Sequence, residues 1–438
     1  MSWDAFYVRW NSGVVSIDYA ESGILADKNV KEFFKVLDIE QVLDLLPQFH
    51  PVTVEDVALG AAAGRILAED LFAAENLPAF ARSTVDGYAL RAAATFGASE
   101  SSPALLQLAG AVAMGETARM RVASGEAVRI ATGGMLPTGA DSVVMLEHAE
   151  TLDDSAIEVF RSVAPGQNLI AAGEDFEKGA RIAARGQRLR PQDAGVLAAF
   201  GRTQVLVFRR PAVGIISTGD EIVPVGTVPG PAQVRDVNSY TLAGLVAEAG
   251  AVPQSWGIVK DDFPSLHTAC ARALEGCDML LISGGSSVGA RDYTVEVISA
   301  FAGAEILVHG IAISPGKPTI LARIGPKVLW GLPGHVVSAM IVFTRIVRPF
   351  LRHMGGMDAA RAASITIPAR LSRNVASAQG RTDFIRVRLI RRESELWAEP
   401  VLGKSGLLNT MIKADGIIEI GKNDEGLDEG TRVEVMLF

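Results

Sequence analysis

At 438 residues, and at roughly 100–200 residues per domain, the chain should divide into two to four domains rather than build one core. Its 49% hydrophobic and 21% charged content is that of a folded globular protein and excludes intrinsic disorder. A net charge of -9 argues against nucleic acid or an anionic membrane as the main partner, so any anion it binds needs a local site.

Residues 1–35 show no clear periodicity and read as a poorly ordered extension, or as sequence upstream of the true start. The opening MSWDAFYVRWNSG has Asp4 early and lacks the basic and apolar regions of a signal peptide, and no apolar run is long enough to span a membrane. The cysteines, Cys270 and Cys277, and six scattered histidines exclude a disulfide scaffold and argue against a Cys- or His-built metal centre. A cytoplasmic protein is expected, and any metal should be a hard cation on carboxylates.

From Val36, VLDIEQVLDLL has helical spacing, and VALGAAAGRILAEDL after Thr53 reads as a second short helix. Between about 70 and 175, short apolar runs broken by Gly, Pro and Asp predict a β-rich domain. Helix returns over Arg188–Phe200, followed by a strand in GRTQVLVF, so the β-rich part is expected to be an insertion into an elongated helical element. From 211 the rhythm is βαβ, with strands AVGIIST, AVPQSWGIV, DMLLIS and KVLWGL alternating with helices. This predicts a parallel sheet covered on both faces, whose ligands bind beyond Thr218, Ser283 and Leu332. Five short strands from about 362 close the chain.

Several strand-end loops carry chemistry. The turn Ser283-Gly284-Gly285-Ser286-Ser287-Val288-Gly289 can present bare backbone N–H groups to a phosphate, with Asp292 just beyond it, although a plain tight turn has the same composition. Thr218-Gly219-Asp220-Glu221 and Lys260-Asp261-Asp262 put carboxylates at two further strand ends, a donor set suited to Mg²⁺ bridging phosphate oxygens. Pro315-Gly316-Lys317-Pro318 offers one cation, Pro333-Gly334-His335 enters a helix, and Arg381 could supply a guanidinium to an oxyanion. Gly403-Lys404-Ser405-Gly406 is no phosphate-binding P-loop, because Ala398 stands where its first glycine belongs. In the β-rich part, Asp86 and Thr132 sit in turn-dense text.

Taken in order, VDGYA (85–89), ATGG with P-x-GAD (131–141), GED (173–175), STGDE (217–221), VKDD (259–262), SGGSSVGARDY (283–293), PGKP (315–318) and LPG (332–334) resemble the molybdopterin molybdenumtransferase family, the MoeA proteins and the E domain of gephyrin. The resemblance covers about 400 residues. It implies a multidomain α/β plus β fold. An extension would occupy 1–35, a discontinuous elongated dimerisation domain 36–53 and 175–207, and an inserted β-rich domain 54–174. A MogA-like α/β molybdopterin-binding domain would follow over 208–358, and a C-terminal β-barrel over 359–438.

The implied reaction inserts molybdate into adenylylated molybdopterin with release of AMP, assisted by Mg²⁺, in a homodimer. Molybdopterin adenylyltransferase and molybdoenzyme apoproteins are the implied protein partners. By the same resemblance, Asp220, Glu221, Asp261 and Asp292 hold the metal, with Asp292, Asp261, Glu221 and Asp86 as catalytic residues. Thr132, Thr218, Gly219, Asp220, Ser283, Gly284, Gly285, Ser287, Gly289, Pro333 and Gly334 would bind the cofactor. Gly316, Lys317, Pro318, Arg381 and Ser405 would bind molybdate, and Asp86 and Thr132 would reach the other subunit's pocket. Two departures stand out: Ser314 replaces a lysine before PGKP, and His335-Val336 replaces Asn-Pro after LPG. They leave open a tungstate-preferring paralogue or a non-catalytic molybdopterin carrier.

Overall fold

The computed structural model describes residues 36–284, 293–358 and 365–438, so the expectation for residues 1–35 lies outside the described residues. The chain begins with the helix Ile39–Leu43, whose preceding Asp38 N–H donates to Gln41 Oε1 at 3.0 Å. Its buried Ile39 and Val42 pack into the α/β core together with Leu37 and Phe49.

The second predicted helix is not formed. Val54–Ala58 is a strand, paired antiparallel with Gln204–Phe208 from Val54↔Phe208 to Ala58↔Gln204, and only a 3-10 turn follows at Leu59–Ala61. The alanines after it favour helix locally, but the pairing partner lies about 150 residues downstream and decides the outcome. The strands Leu71–Phe72 and Arg181–Ala183 also pair antiparallel, so the chain leaves and returns along itself. A small core of Leu67, Leu71, Leu189, Leu197, Val205 and Val207 closes this base. The predicted helix after Arg188 spans Pro191–Ala199.

Between the outgoing and returning strands lies a six-stranded sheet, in the order Ser142–Met145, Gly87–Leu90, Glu126–Ile130, Ala104–Val112, Ala156–Val159, Ala149–Asp153. One of its faces packs Tyr88, Leu90, Leu106, Val144, Ile157 and Val159.

The α/β sheet runs in the order Val252–Val259, Ala212–Thr218, Met279–Ser283, Lys327–Leu332, Ile320–Ile324, Ala304–His309. The four strands read from the sequence are parallel, as expected. The sequence reading did not name Ala304–His309 or Ile320–Ile324, and Ile320–Ile324 runs antiparallel between Lys327–Leu332 and Ala304–His309. The physical reason is the connection: Gly325 and Pro326 alone join Ile320–Ile324 to Lys327–Leu332, too short a link for a crossover. Alternate residues of the central strands enter two different cores. Val213, Ile215, Met279, Leu281, Val328, Trp330 and Leu332 face one, and Ile216, Leu280, Ile282 and Leu329 face the other. Strands apolar on both sides follow directly from that arrangement. Cys270 and Cys277 are buried free thiols, and burial pushes Cys270 up to about 12.

The C-terminal strands close on themselves: Thr382–Arg392, Glu395–Pro400, Thr366–Leu371, Arg432–Leu437 and Gly416–Ile420, which pairs back to Thr382–Arg392. This is a five-stranded barrel. It is joined to the α/β unit by Ile313–Ser314, which adds parallel to Thr382 and Asp383.

Trp330 is fully buried at the centre of the sheet, with its ring edge-on to Phe350 at 5.1 Å. Trp330→Ala is expected to destabilise the α/β unit by about 3–5 kcal/mol, read as a fall in its calorimetric transition. Trp330→Phe keeps a ring and removes an indole N–H that has no acceptor, so its transition should fall far less.

Candidate active site

Ala212–Thr218 enters the sheet first, and the next two parallel strands flank it on opposite sides. The strand order therefore reverses there and opens a crevice beyond Thr218 and Ser283. Register places Ser217 opposite Ser283 and Ser283 opposite Leu332, so three loops leave from one edge.

Two glycines make the edge compact. Gly284 has φ +115°, and a Cβ there would lie 2.0 Å from the Thr218 carbonyl oxygen. Only glycine fits, and its N–H donates to the Leu332 carbonyl at 3.3 Å. Gly219 has φ +152°, and the Glu221 carboxylate folds back to within 2.9 Å of where its Cβ would stand.

Beneath the edge lies a buried polar network that local pattern reading missed. Ser217 Oγ donates to Asp236 Oδ1 at 2.9 Å and lies 2.9 Å from Ser239 Oγ. Asn238 Nδ2 donates to Ser283 Oγ at 2.7 Å and to the Gly334 carbonyl at 2.8 Å, tying two of the loops to the start of helix Asn238–Glu248. The signal was the run Asp236-Val237-Asn238-Ser239, polar residues entering a helix beside the switch point.

The acidic loops meet in part. Asp261 N–H donates to Asp220 Oδ1 at 3.4 Å, and Thr218 Oγ1 donates to Asp261 Oδ1 at 3.5 Å. Burial, then the charges of Asp220 and Glu221, hold the Asp261 carboxyl above its ordinary value. Asp262 instead caps helix Phe263–Gly276, accepting from Ser265 N at 2.8 Å. Among the described residues no three carboxylate, His or Cys side chains converge as a metal cage. Gly285, Ser287, Gly289 and Asp292 lie outside the described residues.

Ser405 is tied to the same edge: its Oγ is 2.9 Å from His335 Nδ1, and its carbonyl accepts from Val337 N at 3.2 Å. Buried Arg386 holds that loop from below, through Thr410 Oγ1 at 3.0 Å and the Gly403 carbonyl at 2.7 Å. Lys317 and Arg381 belong to a neighbouring group. Ser314 pairs in register with Asp383, whose buried carboxylate holds Arg381 Nε at 3.0 Å and accepts from Ser377 Oγ at 2.7 Å. The loop Gly316-Lys317-Pro318 follows; a Cβ on Gly316 would lie 2.5 Å from Val342 Cγ2. Helix Val336–Val342 thus touches both groups.

Asp86 and Thr132 are on the inserted sheet, where Asp86 Oδ1 accepts from Thr132 N at 2.7 Å and from Thr132 Oγ1 at 3.1 Å. Within one chain no hydrogen bond or ion pair joins them to the other candidate residues described. Gly87 beside them admits no side chain, since a Cβ would lie 1.9 Å from the Val144 carbonyl oxygen.

Fold and edge together define a multidomain protein organised around an α/β ligand-binding domain with a loop crevice at its strand ends. Residues 37–201 match the family model "MoeA N-terminal region (domain I and II)", 214–353 "Probable molybdopterin binding domain" and 368–438 "MoeA C-terminal region (domain IV)". The chain is 32% identical to a molybdopterin molybdenumtransferase of Bacillus subtilis over 388 residues, 88% of this chain and 90% of that one. It is 31% identical to the enzyme of that name from Haemophilus influenzae over 401 residues, 91% and 96% of the two chains. A crystal structure of a molybdopterin biosynthesis MoeA protein from Pyrococcus horikoshii OT3 aligns with a TM-score of 0.79 at 32% identity, covering 92% of this chain and all of that one. The chain belongs to the MoeA family.

The Thr132 N–H and hydroxyl, in that order, hold the Asp86 carboxyl below its ordinary 3.8. The stability this contact contributes is complete above pH 3.8 and fades as pH falls through the lowered value. Thr132→Val should move the Asp86 titration back toward 3.8, followed by carboxyl NMR; an unmoved titration would deny the hydroxyl its part.

Proposed function

We propose that this chain is a molybdopterin molybdenumtransferase, which combines adenylylated molybdopterin with molybdate, yields the molybdenum cofactor and releases AMP. The observation that carries the reading is the switch-point edge, where Gly284 packs on the Thr218 carbonyl and the Asp220 and Asp261 loops meet, in a chain of this family. The glycine-rich sequence after Ser283 suits a phosphate, and neighbouring carboxylates suit a hard cation.

Mg²⁺ is proposed as that cation. The donor chemistry of Asp220, Glu221 and Asp261, with Asp292, fits it: all are hard oxygen ligands, and the Asp261 carboxyl is raised by burial first and then by the charges of Asp220 and Glu221. Bound there, Mg²⁺ would neutralise phosphate charge as the AMP group leaves. Asp261, Glu221, Asp292 and Asp86 are the proposed catalytic residues. Thr218, Gly219, Ser283, Gly284, Gly285, Ser287, Gly289, Pro333, Gly334 and Thr132 are proposed to hold the cofactor. Gly316, Lys317, Pro318, Arg381 and Ser405 are proposed to hold the oxyanion opposite the dithiolene.

The separation of Asp86 and Thr132 from the edge within one chain supports a homodimer in which the inserted domain serves the partner's site. A cytoplasmic location, exchange with molybdopterin adenylyltransferase and delivery to molybdoenzyme apoproteins complete the proposal. So does the division into domains at 36–53 with 175–207, 54–174, 208–358 and 359–438.

A second reading has its own observation: His335 holds Ser405, and Ser314 brings no charge to the oxyanion group. It makes the chain tungstate-preferring, or a carrier without turnover. AMP release from adenylylated molybdopterin, measured with Mg²⁺ and either molybdate or tungstate, separates these. Oxyanion-dependent release that falls by at least ~100-fold in Asp261→Asn and Asp292→Asn is expected, the size of effect that loss of a charge-positioning group produces. Binding without release in the wild type would make the chain a carrier.

A further inference from the structure

A cleft of about 40 Å³ lies at the junction between the small base core and the α/β unit, away from the strand-end edge. Among the described residues five arginines line it, Arg65, Arg188, Arg209, Arg210 and Arg352, against one carboxylate, Glu248. They come from segments far apart in sequence, and the fold alone collects them.

Three of the five have partners, Arg352 among them. Arg65 pairs with Glu55, and Arg209 makes a two-pronged pair with Asp278 at 3.0 and 2.9 Å. The side chains of Arg188 and Arg210 have neither an ion pair nor a hydrogen bond among the described residues. Arg188 Nη2 stands 3.8 Å from where a Cβ on Gly64 would be, at the cleft wall. Arg65 is only 9% exposed, and its Nε is buried without an acceptor behind the cleft wall. The repulsion is felt locally: burial, then the charge of Arg188, lowers Arg352. One turn earlier, Arg348 is pushed down to about 10 by burial, then by Arg352 and Arg345. Glu248 and the carboxyl end of helix Asn238–Glu248 offset part of this charge and leave a surplus of cations.

The ligand class follows from size and donor type. At ~10–15 Å³ of such volume per water, the cleft has room for a few waters or one compact ion, not for a nucleotide. Guanidinium forks match the paired oxygens of an oxyanion. We propose that this cleft binds a tetrahedral oxyanion, held by the exposed guanidinium groups of Arg188 and Arg210 with Arg352 beside them, at the joint between the base and the α/β unit. The proposal is independent of the reading of the strand-end crevice.

The test is calorimetric titration of the full chain with phosphate, sulfate and molybdate, at ionic strength held constant with chloride. Binding should be at least about tenfold weaker in Arg188→Gln, about 1.4 kcal/mol, and weaker still with Arg352→Gln added. Arg381→Ala should leave it intact, which separates this cleft from the proposed molybdate site. Should Arg352→Gln impair folding by circular dichroism, Arg188→Gln with Arg210→Gln, both exposed and unpartnered, takes its place. Saturation by all three anions identifies a general oxyanion site, and saturation by molybdate alone a site for the metal oxyanion; either supports the proposal. It is overturned if no anion binds beyond chloride, if binding survives the arginine substitutions, or if Arg381→Ala abolishes it. A change in sedimentation of Arg188→Gln without anion binding also overturns it, because the arginines then serve a second copy of the chain.

Discussion

The strand-end crevice depends on one backbone contact: the Gly284 Cα sits so close to the Thr218 carbonyl that no side chain can come between them. That approach keeps two central strand ends level, with Ser217 opposite Ser283. A methyl group at position 284 would have to push Thr218 and its loop aside, since both the φ of +115° and the 2.0 Å overlap oppose it. The buried network below completes the constraint. Asn238 holds Ser283 and Gly334 with one amide nitrogen, while Asp236 and Ser239 hold Ser217, so the loops stand on hydrogen bonds shielded from water.

Charge is distributed to suit anionic ligands in a chain that is itself acidic. The net -9 would repel them everywhere, and the structure answers with separate local fields. At the edge, Asp261 is raised by burial and by Asp220, a surplus of negative charge that a cation relieves. Across helix Val336–Val342, Arg381 is partly engaged by Asp383, which leaves Lys317 as the more available cation of that group. At the base, arginines outnumber carboxylates. In each place the imbalance has the sign opposite to the ion it would take.

The sequence made some of this legible because the signal was local. Strands such as Met279–Ser283 are apolar at every position because their residues alternate between two cores, and that run reads directly as a buried strand. The crevice was legible for the same reason, since the loops after Thr218, Ser283 and Leu332 follow from the order of strands and helices. What stayed hidden was set by distant pairing. Val54–Ala58 takes its state from Gln204–Phe208, and the antiparallel edge of the α/β sheet depends on a two-residue link whose strands show the same apolar text as their parallel neighbours. Asn238 carried too weak a local mark, and the arginine cleft carried none, because residues 65, 188 and 352 meet only in the folded chain.

The two departures from the family pattern differ in kind. Ser314 brings no charge, and its backbone pairs with Asp383, so the barrel is docked without a cation at this position. His335 replaces an amide with a ring that can exchange its proton, and it sits on Ser405 at 2.9 Å. Ser405 Oγ and His335 Nδ1 can each donate or accept, so the tautomer of the ring sets the direction of the bond. Ser405 in this chain is therefore oriented by His335, whereas a lysine at 314 would have acted through charge alone.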